Sequence, residues 1–452
     1  NDEEYMQAVT RFLRAVRLLL LDSSDTTSKR PLLSTRDLVE LFSGDALVHI
    51  SQIACCAPAY HDRIDGDSNS DFDTTEIEQA GLEGQRILFN FLANPTKSPF
   101  LARMQHSKVD DNQVAHCAQQ LVRAMMLLLQ RCPSLSMQRF LIECLQTTPT
   151  LVPHFFKMIK VPDPKQSFAF IARMGFLFRL VREAPTVSSC IEKDVHFNEE
   201  HFDVVMASIV PANIKKHLLT KGLKTPNALV VSETLKFLYA LIDRYRKCVA
   251  DIGEKQESQR FLGLVTDATV RAFPDVQPLL SLRSVFDPFT LEGDTKAAIV
   301  VIGQFCKVLD SLALYLPAVL KSVKFDFMKL LPHDANVFCS TSPVLQYQLL
   351  CTLENVLELQ GERSEQHRLS SSGIRLVLEI VGTARGNQVY QKARSIAIAM
   401  IHSPLDADDS ESTECIEYES SLWIDGMSEQ CLDGFCYLLC APSNSVFQHS
   451  IA

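Results

Sequence analysis

The sequence predicts an all-α chain, arranged as an irregular α-solenoid of helix pairs. Three observations predict it. Apolar residues recur at steps of three and four along most of the chain, proline falls between those runs, and no series of alternating strands occurs. Only 16 Gly stand in 452 residues, which disfavours sheet-and-turn architectures and glycine-rich phosphate loops alike.

The elements follow in order. Residues 1–58 read as N-terminal helices, the first carrying Phe12, Val16 and Leu19 opposite Arg11, Arg14 and Arg17. Asp22–Pro31 is rich in Ser, Thr and Asp, so a linker interrupts them. Residues 59–80 form an acidic linker, and residues 81–402 a helical-repeat array. Val114, Cys117, Leu121, Met125 and Leu128 line one helix face in it. Lys157, Lys160 and Lys165 flank Pro162 and Pro164 in a turn, and Arg173, Arg179 and Arg182 decorate the apolar helix after it.

The stretch Val204–Arg246 is the most informative. An apolar run broken by Pro211 leads into a compact cationic turn, where Lys215, Lys216, His217, Lys221 and Lys224 crowd around Gly222. Pro226 then opens a helix whose stripe is Val231, Leu235, Leu238, Ile242 and Tyr245. Arg244, Arg246 and Lys247 close that helix, where cations complement its dipole.

Further on, Leu345, Leu349, Leu353 and Val356 mark one helix, and Ile374, Val377, Leu378 and Val381 another. Residues 403–418 form a second acidic linker, and residues 419–452 resume the helical repeat. Pairs recur every 35–50 residues or so, near the ~40–47 of HEAT and armadillo repeats. A globular helical domain is the alternative architecture.

Composition bounds the function. The formal charge is −10, yet seven acids and one Arg lie between Asp62 and Glu78, and seven acids and no base between Asp406 and Glu419. Without those stretches 43 basic residues face 40 acidic ones, and Lys157–Lys247 holds 15 Lys/Arg against nine Asp/Glu. The middle of the chain is therefore mildly basic, which permits an RNA partner. None of the 14 Cys forms a C-x-x-C pair; Cys55 adjoins Cys56, and Cys431, Cys436 and Cys440 lie in an apolar run. Buried free thiols suit a reducing nucleus or cytosol. The richest apolar run, Ala297–Ile302, is flanked by Lys296, Gln304 and Lys307, so no membrane span is expected. Asp2, Glu3 and Glu4 argue against a secretory signal, and a start without Met suits part of a longer polypeptide.

Motifs for nucleotide phosphates, zinc hydrolysis or a nucleophilic serine do not occur, so no catalytic residue, cofactor or small-molecule substrate is expected. Asp65, Asp67, Asn69, Asp73 and Glu76 fall at positions 1, 3, 5, 9 and 12 of a calcium loop. Ser70 stands where that loop needs glycine, and Pro58 weakens the entering helix, so the pattern reads as an acidic linker and no metal site is expected. Lys215, Lys216, Lys221, Lys224, Arg244, Arg246 and Lys247 are the candidate RNA contacts. Aromatic residues are not interleaved with these cations, which points to backbone or shape recognition rather than base readout.

Several segments then resemble, in order, the N-terminal region of the nucleolar pre-ribosomal-associated protein 1 family. They are Leu151–Pro185, Ile209–Ile242 and Arg271–Phe286, followed by Tyr315–Pro332 with its core of Phe325, Asp326, Phe327, Lys329, Leu330 and Leu331. Ser342–Leu350 and Glu419–Met427 complete the series, which covers roughly residues 85–430. Val231-Ser232 departs from it, since the family usually carries a basic residue and His there; both acidic stretches lack an obvious counterpart, and the first 80 residues match poorly.

The resemblance implies a non-catalytic nucleolar scaffold of early 60S assembly, helping to fold and compact pre-rRNA. Its implied associates are pre-rRNA, small nucleolar RNA and assembly factors including a DEAD-box helicase. The alternative is a protein-binding α-solenoid adaptor, for transport or complex assembly, without RNA contact.

Overall fold

The computed structural model describes residues 2–17, 45–55, 76–92, 94, 111–131, 134–160, 162–186, 201–211, 213–253, 259–289, 295–321, 323, 325–361, 371–384 and 387–402. Among them the chain is all-α, with no strand. Both acidic stretches (apart from Glu76 and the residues after it), four of the five calcium-loop residues and residues 419–452 lie outside this set. In order the helices are α1 (Asp2–Val16), α2 (Asp45–Ala54), α3 (Glu76–Leu92), α4 (Asp111–Arg131), α5 (Leu135–Thr147), α6 (Val152–Met158), α7 (Phe168–Glu183), α8 (Phe202–Ile209) and α9 (Lys216–Leu223). There follow α10 (Ala228–Gly253), α11 (Gln259–Ala272), α12 (Val276–Val285), α13 (Thr295–Tyr315), α14 (Pro317–Lys321), α15 (Ala335–Cys339), α16 (Pro343–Gly361), α17 (Ser371–Thr383) and α18 (Asn387–His402).

The contacts divide the chain into two compact units: residues 1–162, 172–215 and 244–272 form the first, and residues 163–171, 216–243 and 273–452 the second. In the first, α3 packs against both α1 and α2. Gly84 permits the α2–α3 approach, since a Cβ there would stand 3.2 Å from Ala54 N and Ile50 O. Gln85 Nε2 donates to Ala54 O at 2.9 Å and closes the α2 terminus. Helix α1 does not dock as its apolar stripe suggests: Phe12 is exposed, whereas Thr10 and Leu13 are buried. The reason is electrostatic. Buried Glu83 on α3 pairs with Arg17 at 2.9 Å, Arg86 at 2.9 Å and Arg14 at 3.7 Å, which draws half-buried Arg17 toward α3 while Arg11 and Arg14 stay exposed.

Leu121, Val122, Met125 and Leu128 of α4 are fully buried, as are Phe155 and Phe156 of α6, on which both α4 and α8 pack. Each such side chain contributes about 1.5–3 kcal/mol through burial. Helix α5 starts at Ser134, whose hydroxyl accepts from Met137 N at 3.1 Å.

In the second unit α13 lies along α16, α16 meets α18, and α17 pairs with α18. The faces of Leu345, Leu349, Leu353 and Val356 and of Ile374, Val377, Leu378 and Val381 are buried there. Pro317 and Pro343 each take the first helical position, where a missing N–H costs nothing. The FDF-containing segment is a 3-10 turn, Phe327–Leu330, capped by Asp326 accepting from Met328 N at 3.1 Å. Leu330 O accepts from Arg283 Nε at 2.9 Å, while that guanidinium also binds Asp287 at 2.8 Å and lies 4.7 Å from the Phe289 ring centroid.

One helix of the second unit is longer and more apolar than the sequence reading anticipated. Lys296–Tyr315 is 20 residues long with mean hydropathy 1.8, enough by length and composition to cross a membrane. Half of that window is buried, Val301, Ile302, Phe305 and Leu309 completely or nearly so. Its Asp310 accepts from Asn355 of α16 at 3.2 Å. These are the contacts of a core helix, whose surroundings supply its apolarity.

Candidate nucleic-acid interface

The cationic element expected as a turn is itself a helix, α9. Its sequence explains the arrangement. Leu219, Gly222 and Leu223 fall on one side and are buried, which leaves Lys216, His217 and Lys221 exposed on the other, with Lys224 just beyond. Gly222 is required by proximity, since a Cβ there would meet Thr234 Oγ1 at 2.5 Å. Thr234 cannot easily yield, because Oγ1 donates to Val230 O at 2.7 Å within α10.

The exposed side forms an open cleft of about 580 Å³, lined by Lys216, His217, Thr220, Lys221, Lys224 and Asp275. Two of its lysines are partly neutralised. Lys216 Nζ lies 2.5 Å from Asp275 Oδ1, and Lys221 Nζ 2.6 Å from Asp163 Oδ1. Lys165 approaches the other oxygen of Asp163 at 3.6 Å. The hydrogen bond from Lys221, with Lys165 nearby, holds the Asp163 carboxyl below its ordinary value. Lys224 makes no ion pair among the described residues, so the cleft keeps a positive excess. Exposed pairs of this kind contribute little to stability, because water and salt screen them.

The other candidate contacts belong to the first unit. Lys215 and Arg246 are exposed there and Lys247 is half-buried. Arg244 is not a surface residue: it is 2% exposed. Its NH1 donates to Ala184 O at 2.8 Å and Val181 O at 3.2 Å, its NH2 to Pro185 O at 2.7 Å, and its Nε to Ser208 O. These carbonyls lie at the C-terminal ends of α7 and α8, so Arg244 satisfies orphan acceptors of two helices and is too deeply buried to present its charge to a phosphate. The expected dipole role at its own helix end is also corrected, because α10 continues to Gly253.

Three further arginines are committed within the first unit. Arg14 and Arg17 serve Glu83, and Arg179 NH2 donates to Gln138 Oε1 at 2.5 Å. Val231 and Ser232, where the resembled family is basic, are buried, and Ser232 Oγ donates to Gln304 at 2.8 Å. Glu76, the last of the calcium-loop residues, opens α3 and accepts from Gln7. Sequence spacing could not reveal Asp163 and Asp275 as partners of the lysines, since they lie 58 and 59 positions away. Compared with family models, curated proteins and solved structures, the chain matches none.

Proposed function

We propose that the protein is a non-catalytic scaffold of early large-subunit pre-ribosome assembly, its helix pairs stacked as an irregular solenoid. In this reading it resides in the nucleolus and binds pre-rRNA and small nucleolar RNA alongside assembly factors, a DEAD-box helicase among them. The observation that supports an RNA contact is the α9 cleft, where Lys216, Lys221 and Lys224 face solvent around one concavity. Cations without a stacking aromatic suit phosphates, so affinity comes from the backbone and falls steeply with salt.

The test is the triple variant Lys216→Gln, Lys221→Gln, Lys224→Gln. With single-stranded RNA, its slope of log affinity against log salt should be shallower by about 2, from ~0.7 per lost phosphate contact. Cross-linking of the unaltered protein in cells should recover large-subunit pre-rRNA. An unchanged slope, together with cross-links free of pre-rRNA, would sink the proposal.

One observation favours the adaptor reading instead. Lys216 and Lys221 already hold Asp275 and Asp163, as lysines of a protein-facing surface do. That reading expects a protein partner whose affinity barely responds to salt or to the triple variant.

A further inference from the structure

A second concavity in the same unit lies between α16 and α18, about 350 Å³ in volume and lined by Tyr347, Gln388, Gln391, Lys392 and Ser395. This size lies at the lower end of small-ligand sites, which span roughly 300–1,000 Å³. The chemistry of its lining is selective. Tyr347 is 41% exposed and offers an aromatic face. Gln388, Gln391 and Ser395 recur at helical steps on one side of α18 and are exposed. Neither glutamine side chain has a hydrogen-bond partner among the described residues.

The cation of the pocket is already neutralised. Glu354 accepts from Lys392 through Oε2 and from Ser395 Oγ at 3.1 Å through Oε1. A phosphate therefore gains little here. A flat, uncharged group with adjacent donors and acceptors gains most: the tyrosine stacks on it, and a carboxamide pairs with its edge.

Among nucleobases, adenine fits that requirement. Its N7 acceptor and N6 amino donor match the donor and acceptor of one carboxamide, whereas guanine presents two acceptors on the same edge. We infer that the Tyr347–Gln391 pocket binds an unstacked adenine base, stacked on Tyr347 and read by the Gln391 or Gln388 carboxamide. The inference rests on the RNA-binding reading for the macromolecule that presents the base. It adds a base-selective site to a protein whose α9 cleft selects only charge. Primary structure conceals this site because Tyr347 and Gln391 lie on different helices.

The experiment measures binding of the full chain to single-stranded oligoadenylate, oligouridylate and adenosine monophosphate. Oligoadenylate should bind more tightly than oligouridylate. Tyr347→Ala should weaken oligoadenylate binding about tenfold without changing its salt slope, since one stacked base contributes a loss of that order. Tyr347→Phe, which keeps the ring, should bind as the parent does, and Gln388→Leu with Gln391→Leu should narrow the preference for adenine. Circular dichroism and thermal unfolding establish that each variant is folded.

Sensitivity of adenosine monophosphate binding to Tyr347→Ala would support the base site with a free nucleotide as its source. Sensitivity confined to oligoadenylate would support it with RNA as the source. Equal binding of the two oligonucleotides, or parental affinity in Tyr347→Ala, would overturn the site. Loss of RNA binding in the lysine variant alongside parental binding in Tyr347→Ala would overturn the pocket and leave the cleft standing. A Tyr347-dependent adenine site with a lysine variant that binds normally would do the reverse.

Discussion

The Arg244 guanidinium lies over the Phe156 ring, 5.0 Å from its centroid, while its nitrogens satisfy carbonyls at the ends of α7 and α8. The charge is thus desolvated against an aromatic face and spread over backbone acceptors, a geometry suited to a planar fork. Arg244→Ala would leave several buried carbonyls without donors. The variant should lose about 3 kcal/mol or more of local stability. Hydrogen exchange should then accelerate in α7, α8 and the end of α10, and RNA affinity per folded molecule should not change. Arg244→Lys should recover less than half of the loss, because one ammonium cannot reach all the acceptors.

The α9–α10 crossing is set by Gly222 and Thr234. Gly222→Ala should destabilise the second unit by about 1–3 kcal/mol, the usual cost of forcing an atom into a closed contact. Thr234→Ala removes the opposing Oγ1 and Cγ2, so the double variant should be more stable than Gly222→Ala alone. A double-mutant cycle by denaturant unfolding measures this coupling; strict additivity would show that the helices separate freely.

Asp310 provides a pH dependence. Burial raises its carboxyl above the ordinary value of 3.8, opposed by hydrogen bonds to Thr352 and Asn355. A raised folded-state pKa means that the native state holds this proton more tightly than the unfolded chain. Stability from this group is therefore full below the unfolded value and falls as pH rises through the folded one. Asp310→Asn should stabilise the protein at neutral pH and flatten the decline above pH 4 or so. Unfolding measured across acid to neutral pH checks both; a destabilised variant at neutral pH would reject the sign.

Thiol reactivity should follow burial. Cys306 is pushed up to about 12, first by burial, and Cys144 is also raised well above its ordinary value by burial. Among the described cysteines, iodoacetamide at mildly alkaline pH should therefore spare Cys144 and Cys306 in the native protein and reach half-buried Cys55 first. Cys339 and Cys351, half-buried with raised thiols, should follow more slowly. Peptide mass mapping after a brief exposure provides the order, and early labelling of Cys306 would contradict the packing of α13.

The helices were legible wherever one face was continuous. Val231, Leu235, Leu238, Ile242 and Tyr245 step along α10 at helical spacing and are all buried. Periodicity sufficed there because one stripe has one side to bury. It misled on α1, where Phe12 belongs to the apolar stripe but is exposed, while Arg17 from the opposite side pairs with buried Glu83. The candidate site was legible as charge and not as geometry: Lys216, Lys221 and Lys224 do share a cleft, whereas Arg244, equally basic in sequence, is interior.

The sequence by itself determined the all-α character, because turn-by-turn apolar spacing, scarce glycine and well-placed proline are local properties. It also determined that basic residues concentrate near α9. Only the tertiary structure decided which of them face solvent, that Asp163 and Asp275 hold two of them, and that Tyr347 meets the glutamines of α18. The reason is that a charge or an aromatic acts through its neighbours, and those neighbours come from distant parts of the chain. Periodicity specifies a helix and a face; what covers that face depends on every other helix.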